Sequence, residues 1–289
     1  MNCCGTKKSS ELTTDEIKEQ VKKHYGEIIS ENKCSCCGPT SFEGTMKGKL
    51  AEMIGYSKEE LSTIPKEAID NSFGCGNPLA FSEVKEGETV LDLGSGAGID
   101  CFIASKKVGP KGKVIGLDIT PEMIKKATEN AQKYGITNVE FRLGEMENMP
   151  VDNESVDWII SNCVINLSPD KDKVFSEAYR VLKPGGKVMV SDIVTKDLPE
   201  EIQKSIAAWT GCIAGALREK EYLKKIRNAG FSNVKIISRF DFDKATIENF
   251  LSGCTTEITK QKLAEYKEIL NNIDGKISSI TIHARKPTI

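Results

Sequence analysis

Histidine is nearly missing from this sequence: His24 and His283 are the only two in 289 residues. No imidazole cluster is therefore available to complete a zinc site. An excess of either charge is missing too, with 40 basic against 42 acidic side chains. That balance supplies no broad field for nucleic acid or an anionic membrane, so neither is expected as a partner. Long apolar runs are absent; Val156–Val164 is among the longest, is interrupted by Asp157 and Asn162, and is far too short to span a bilayer. The start, Met-Asn-Cys-Cys-Gly-Thr-Lys-Lys, leads directly into a polar helical pattern, so no signal peptide is expected and the cytoplasm is the expected compartment. Internal repeats and low-complexity tracts are lacking, and nothing demands more than a monomer.

Cysteine, by contrast, is abundant. The ten are Cys3, Cys4, Cys34, Cys36, Cys37, Cys75, Cys101, Cys163, Cys212 and Cys254. A secreted disulfide scaffold is small and loop-rich, and this chain is neither. So many thiols in a reducing compartment point either to soft-metal or metalloid chemistry or to small buried hydrophobes.

The organising stretch is Thr89–Asp100. Val90-Leu91-Asp92-Leu93 reads as a buried strand, and Gly94-Ser95-Gly96-Ala97-Gly98 as a tight turn opening a helix near Ile99. Such a turn lets a ligand approach the backbone, and the helix start offers unpaired N–H groups. The spacing departs from the dinucleotide form, in which the third glycine falls three residues after the second. Asp92 would set a carboxylate beside this loop, suiting a ligand with an ammonium group. The next apolar strand, Val114–Leu117, runs into Asp118, where an acid would hold a ribose hydroxyl pair.

Strands at Val139–Leu143, Val156–Asn162, Lys187–Val194, Phe231–Ile237 and Ser279–Arg285 complete a doubly wound α/β pattern. Helices are expected from Ile99 to Lys107, from Pro121 to Tyr134, across Ser176–Leu182, and across 199–217. The last strand alternates and should be antiparallel. Residues 1–80 form a cysteine-rich, mostly helical segment, 81–240 the core, and 241–289 a helical insertion with the final strand. Thr13-x-x-Glu16 is a capping box opening a helix to about Ile29, whose Tyr25-Gly26 is a candidate to cover the ligand. Met146, in the loop Gly144–Pro150, either packs on a ligand's flat face or is ordinary core. Cys101 and Cys254 read as packing, and for Cys212 packing is the alternative to function. Cys75, between two glycines and near Pro78, sits in turn chemistry that argues against core. Cys163 directly follows a strand's carboxyl end, where ligands bind in such sheets.

The pair D-L-G-S-G-A-G and G-L-D-I-T-P-E-M resembles the S-adenosylmethionine-dependent methyltransferases of class I, which implies a seven-stranded Rossmann-like sheet. It implies S-adenosylmethionine at Asp92, Gly94, Ser95, Gly96, Gly98, Asp118, Ile119, Met123 and Asn162. It also implies that Glu145 accepts a hydrogen bond from the adenine amino group beside Met146. The runs Tyr25-Gly26, Ser35-Cys36-Cys37-Gly38, Gly74-Cys75-Gly76-Asn77-Pro78, Ser161-Asn162-Cys163 and Gly211-Cys212 resemble the arsenite methyltransferases more narrowly. That likeness implies trivalent arsenic held by Cys75, Cys163 and Cys212, with arsenite or its thiol conjugate as substrate, in arsenic detoxification. It also implies reduction by a cysteine pair involving Cys37 or its neighbours Cys34 and Cys36, with glutathione or a thioredoxin-type protein restoring the enzyme. Phe73 would wall the methyl group off from water. Two other readings stand beside it: methyl transfer to a small organic acceptor such as a quinone precursor, and a thiol-rich metalloid-binding protein.

Overall fold

A computed structural model describes residues 12–31, 55–72, 74–196, 215–242 and 274–288. Seven strands form one sheet in the order β3-β2-β1-β4-β5-β7-β6. They are β1 (Thr89–Leu93), β2 (Lys113–Asp118), β3 (Val139–Leu143), β4 (Val156–Asn162), β5 (Leu182–Thr195), β6 (Ser232–Phe242) and β7 (Ile277–Arg285). The first five run parallel, and β7 lies antiparallel between β5 and β6. The doubly wound sheet and the reversed last strand are thus as the sequence reads.

Strands β1, β2 and β4 are buried almost throughout because helices cover both faces. Alternate residues divide between two cores. Leu91, Leu117, Ile159 and Val190 face one, with Phe175 and Tyr222. Val90, Val114, Trp158, Ile160 and Met189 face the other, with Phe102 and Ala104. The helices are α1 (Thr14–Glu31), α2 (Lys58–Ser62), α3 (Lys66–Asp70), α4 (Ile99–Val108), α5 (Pro121–Lys133), α6 (Lys171–Val181) and α7 (Glu219–Asn228). At the start of α1 the capping box is formed: Glu16 accepts from the Thr13 N–H at 2.8 Å and its own N–H donates to Thr13 Oγ1 at 3.3 Å.

Three boundaries differ from expectation. Helix α6 starts at Lys171, capped by Asp170, whose side chain accepts from the Lys173 N–H. Lys183-Pro184-Gly185-Gly186 does not separate α6 from β5 but lies within β5 as a bulge. Leu182 pairs with Val156, and Lys187 with Trp158, so the residues between them loop out of register. Strand β6 continues to Phe242 because β7 pairs with it to Ile277. The insertion placed before the last strand and most of the helix expected over 199–217 lie outside the described residues, as do Cys3, Cys4, Cys34, Cys36, Cys37, Phe73, Cys212 and Cys254.

Candidate active site: a ligand cleft beside a thiol chamber

At the carboxyl ends of β1 and β2 is a cleft enclosing about 440 Å³ of space continuous with solvent. Gly94, Asp118, Ile119 and Met146 line it, together with Leu117, Val164 and Leu167. Gly94 has φ +69, and a Cβ there would sit 2.3 Å from Val164, so only glycine keeps this wall in place. Asp118 is fixed by the loop it faces: Oδ2 accepts from the Gly96 N–H at 2.9 Å and Oδ1 from the Thr120 N–H at 2.8 Å. Burial raises its pKa, against the pull of those backbone donors. The start of α4, at Gly98, has no side-chain cap. Ser95 Oγ, in the same loop, is buried with no hydrogen-bond partner among the described residues. An uncapped helix start and an orphaned hydroxyl in the loop that holds Asp118, with an apolar-walled cleft at that acid, suit a ligand with ribose hydroxyls and a flat base. S-adenosylmethionine fits that description.

Of the other residues expected to touch this ligand, Asp92 and Met123 are buried and do not line the cleft, while Glu145 stands at its rim. Asp92 is only 2% exposed and accepts from the Cys101 thiol at 3.3 Å. Burial, with Asp100 nearby, pushes its pKa well up. It sits beneath the loop, not beside it, which also gives Cys101 a partner where the sequence suggested packing alone. Met123 is buried on α5. Glu145 is held by Lys18 of α1 at 2.6 Å, with Glu147 3.5 Å from the same ammonium group. Lys18 and Val21 of α1 therefore complete the cleft's wall.

Next to the cleft is a small apolar cluster that walls in two thiols, called the thiol chamber below. Val21, Leu167, Ile193 and Ile277 form it around Cys163, and Tyr25, Cys75, Val164 and Phe242 pack against them. Cys163 follows β4 with φ +60, an uncommon conformation for a residue with a Cβ, and its N–H donates to Ser191 O at 2.8 Å. That left-handed turn reverses the chain where the strand ends. Cys75 arrives from a separate segment, and its Sγ lies 3.8 Å from the same Ser191 carbonyl.

Asn162 locks the Cys75 turn. Its Oδ1 accepts from the N–H groups of Cys75 at 2.9 Å and Gly76 at 3.2 Å, and its Nδ2 donates to Gly76 O at 2.7 Å. Nδ2 also approaches Tyr56 Oη at 2.9 Å and Asp100 Oδ2 at 3.2 Å. Tyr56 donates to Asp100 at 2.7 Å. Burial raises Asp100 to about 6, and these hydrogen bonds oppose it. A Cβ on Gly74 would fall 2.3 Å from Asn162, and one on Gly76 2.8 Å from Ser191, which explains glycine on both sides of the thiol.

The third group in the chamber is one the sequence reading missed. An oxygen of Asp192 and the sulfurs of Cys75 and Cys163 all lie within 4.8 Å of one another. Asp192 is fully buried near the end of β5 and accepts from the Tyr222 hydroxyl at 2.9 Å, Asn166 Nδ2 at 2.8 Å and the Ile193 N–H at 2.9 Å. Burial pushes it up to about 7, opposed by these donors and by Lys171. Burial also raises Tyr222, assisted by Asp192, Cys75 and Cys163. The available signal was a single acid interrupting the apolar run of β5, close to the carboxyl end where ligands bind.

A methyltransferase-domain family model matches residues 84–230. The arsenite methyltransferase of Halobacterium salinarum is 42% identical, over 94% of this chain and 67% of its own length. The chain belongs to the arsenite methyltransferase family. The human arsenite methyltransferase is 36% identical, over 78% of this chain and 61% of its own. The crystal structure of an arsenic(III) S-adenosylmethionine methyltransferase from Chlamydomonas reinhardtii superposes with a TM-score of 0.64 at 32% identity, covering 80% of this chain and 73% of that one. The chain spans about two thirds of the length of the Halobacterium and human arsenite methyltransferases. No described helix is long and apolar enough to cross a membrane.

Proposed function

We propose that this protein transfers methyl groups from S-adenosylmethionine to trivalent arsenic held by Cys75, Cys163 and Cys212. The observation that carries the reading is the convergence of Cys75 and Cys163, from distant segments, in one apolar chamber beside the Gly94–Asp118 cleft. Trivalent arsenic is thiophilic: as arsenite it gains three As–S bonds and releases three waters, the thiol protons leaving on its hydroxyls. It keeps its lone pair. Bound S-adenosylmethionine supplies an electrophilic methyl group on a sulfonium.

The chain's own part is holding and shielding. Asp118 takes the ribose hydroxyls, Gly94 and its neighbours admit the ligand to the backbone, and Met146 packs on the adenine. The Lys18–Glu145 pair closes the outer wall of the cleft. Val21, Leu167 and Ile193 keep water from the thiolates, and Asn162 aims Cys75. No proton need leave the nucleophile, which agrees with the two histidines: His283 packs edge-on against Trp158, and His24 stands on α1 against Tyr25. Alignment of arsenic with the methyl carbon is worth up to roughly 7–11 kcal/mol.

Residues 1–80 contribute the Cys75 arm of the site and the cysteine pair, among Cys34, Cys36 and Cys37, that gives two electrons to the product arsenic, returning it to the trivalent state as the pair loses its two protons and closes to a disulfide, which thiol–disulfide exchange then reopens. Glutathione or a thioredoxin-type protein then restores that pair. We assign the protein to arsenic detoxification as a cytoplasmic monomer. Incubation of purified protein with arsenite, glutathione and methyl-labelled S-adenosylmethionine should yield labelled methylarsenicals; label that never reaches arsenic would refute the reading.

A further inference from the structure

We infer that Asp192 is a catalytic residue that stabilises the positive charge developing on arsenic as the methyl group arrives. The inference rests on the reading of Cys75 and Cys163 as arsenic ligands.

In the transfer the arsenic lone pair forms an As–C bond while the C–S bond of the sulfonium breaks, its electron pair going to sulfur. No proton moves. The positive charge therefore travels from the cleft into the thiol chamber, and arsenic carrying three thiolates and a methyl group is cationic.

An anion helps this step only if it is closer to the charge's destination than to its origin. Asp192 meets that condition. Its oxygen is within 4.8 Å of both sulfurs, and it is not among the residues lining the cleft. It is also held still. The Tyr222 hydroxyl, Asn166 Nδ2 and the Ile193 N–H all donate to it, and it is fully buried, so it needs no reorganisation during the reaction. Burial raises its pKa to about 7, and the converging donors hold the carboxylate form against that push. Lys171 also acts on it electrostatically, in the direction that favours the carboxylate. Burying a carboxylate this way costs stability, and an amide of the same shape would pack as well.

The test is Asp192→Asn, compared with the parent in two measurements. The first is turnover with arsenite and S-adenosylmethionine; the second is the affinity and thiol stoichiometry for phenylarsine oxide. Loss of one preorganised charge-stabilising group costs about 100-fold in kcat or more, and that is the fall expected. Phenylarsine oxide affinity should stay within about threefold, because the thiols are untouched. A kcat within threefold of the parent would overturn the inference. So would affinity falling in step with kcat, which would make Asp192 a residue that holds the ligand. Should Asp192→Asn not fold, Tyr222→Phe decides. It removes one of the three donors and should lower kcat by about tenfold or less with arsenical affinity unchanged; an unaltered kcat would sink the idea. If the parent transfers no label to arsenic, the proposed function fails before any variant is compared.

Discussion

The cleft and the chamber share a wall at Val164 and Leu167 yet are built in opposite ways. The floor of the cleft is made by the ends of successive strands, with α1 added as a wall. The end of β1 and its glycine turn bring Gly94 to it, and the acid of the next strand is fastened to that turn through the Gly96 N–H. The chamber is made of side chains from α1, the Cys75 turn, and the ends of β4, β5 and β7, joined by hydrogen bonds that cross large stretches of chain. A site of the first kind tolerates single changes in side chains, since its backbone does much of the binding. A site of the second kind fails when one brace is lost.

That contrast can be broken at four places. The largest effect belongs to Cys163→Ser, which should abolish methyl transfer while leaving S-adenosylmethionine affinity within about twofold, measured by calorimetry; retained turnover would remove Cys163 from the chemistry. Asp118→Ala comes second. Loss of charged hydrogen bonds should weaken S-adenosylmethionine binding by about 1.5–3 kcal/mol and leave phenylarsine oxide titration unchanged. Third is Asn162→Ala, which frees the Cys75 turn. Removing the three bonds to Cys75 and Gly76 should weaken arsenical binding by about 1–3 kcal/mol with cofactor affinity kept; the reverse pattern would return Asn162 to the cofactor. The smallest is Lys18→Met. The ion pair to Glu145 is partly exposed, so cofactor affinity should drop by less than about 1 kcal/mol, and the difference should shrink at high salt.

The local part of the cleft was legible: Gly94, Asp118, Ile119 and Met146 are named from the sequence and line it. The apolar runs of β3 and β4 gave their limits, and the Gly94–Asp118 spacing fixed which strand ends meet. Cys75 and Cys163 were each singled out by their surroundings, and the structure brings them together; Cys212 lies outside the described residues. What escaped was partnership across distance. Nothing near Asn162 says that its amide grips a turn formed by residues 74–76. Nothing near Glu145 says that Lys18 of α1 will reach it. Asp92 reads as a loop-side carboxylate until α4 folds over it and Cys101 supplies a thiol donor. Asp192 is a single acid within a buried strand, and only Cys75, Cys163 and Tyr222, brought from elsewhere in the chain, give it company.

Val21 stands in the walls of both compartments: it borders the cleft and packs with Cys163. One side chain of the N-terminal helix therefore serves as a common partition, and enlarging it at position 21 would disturb both compartments at once.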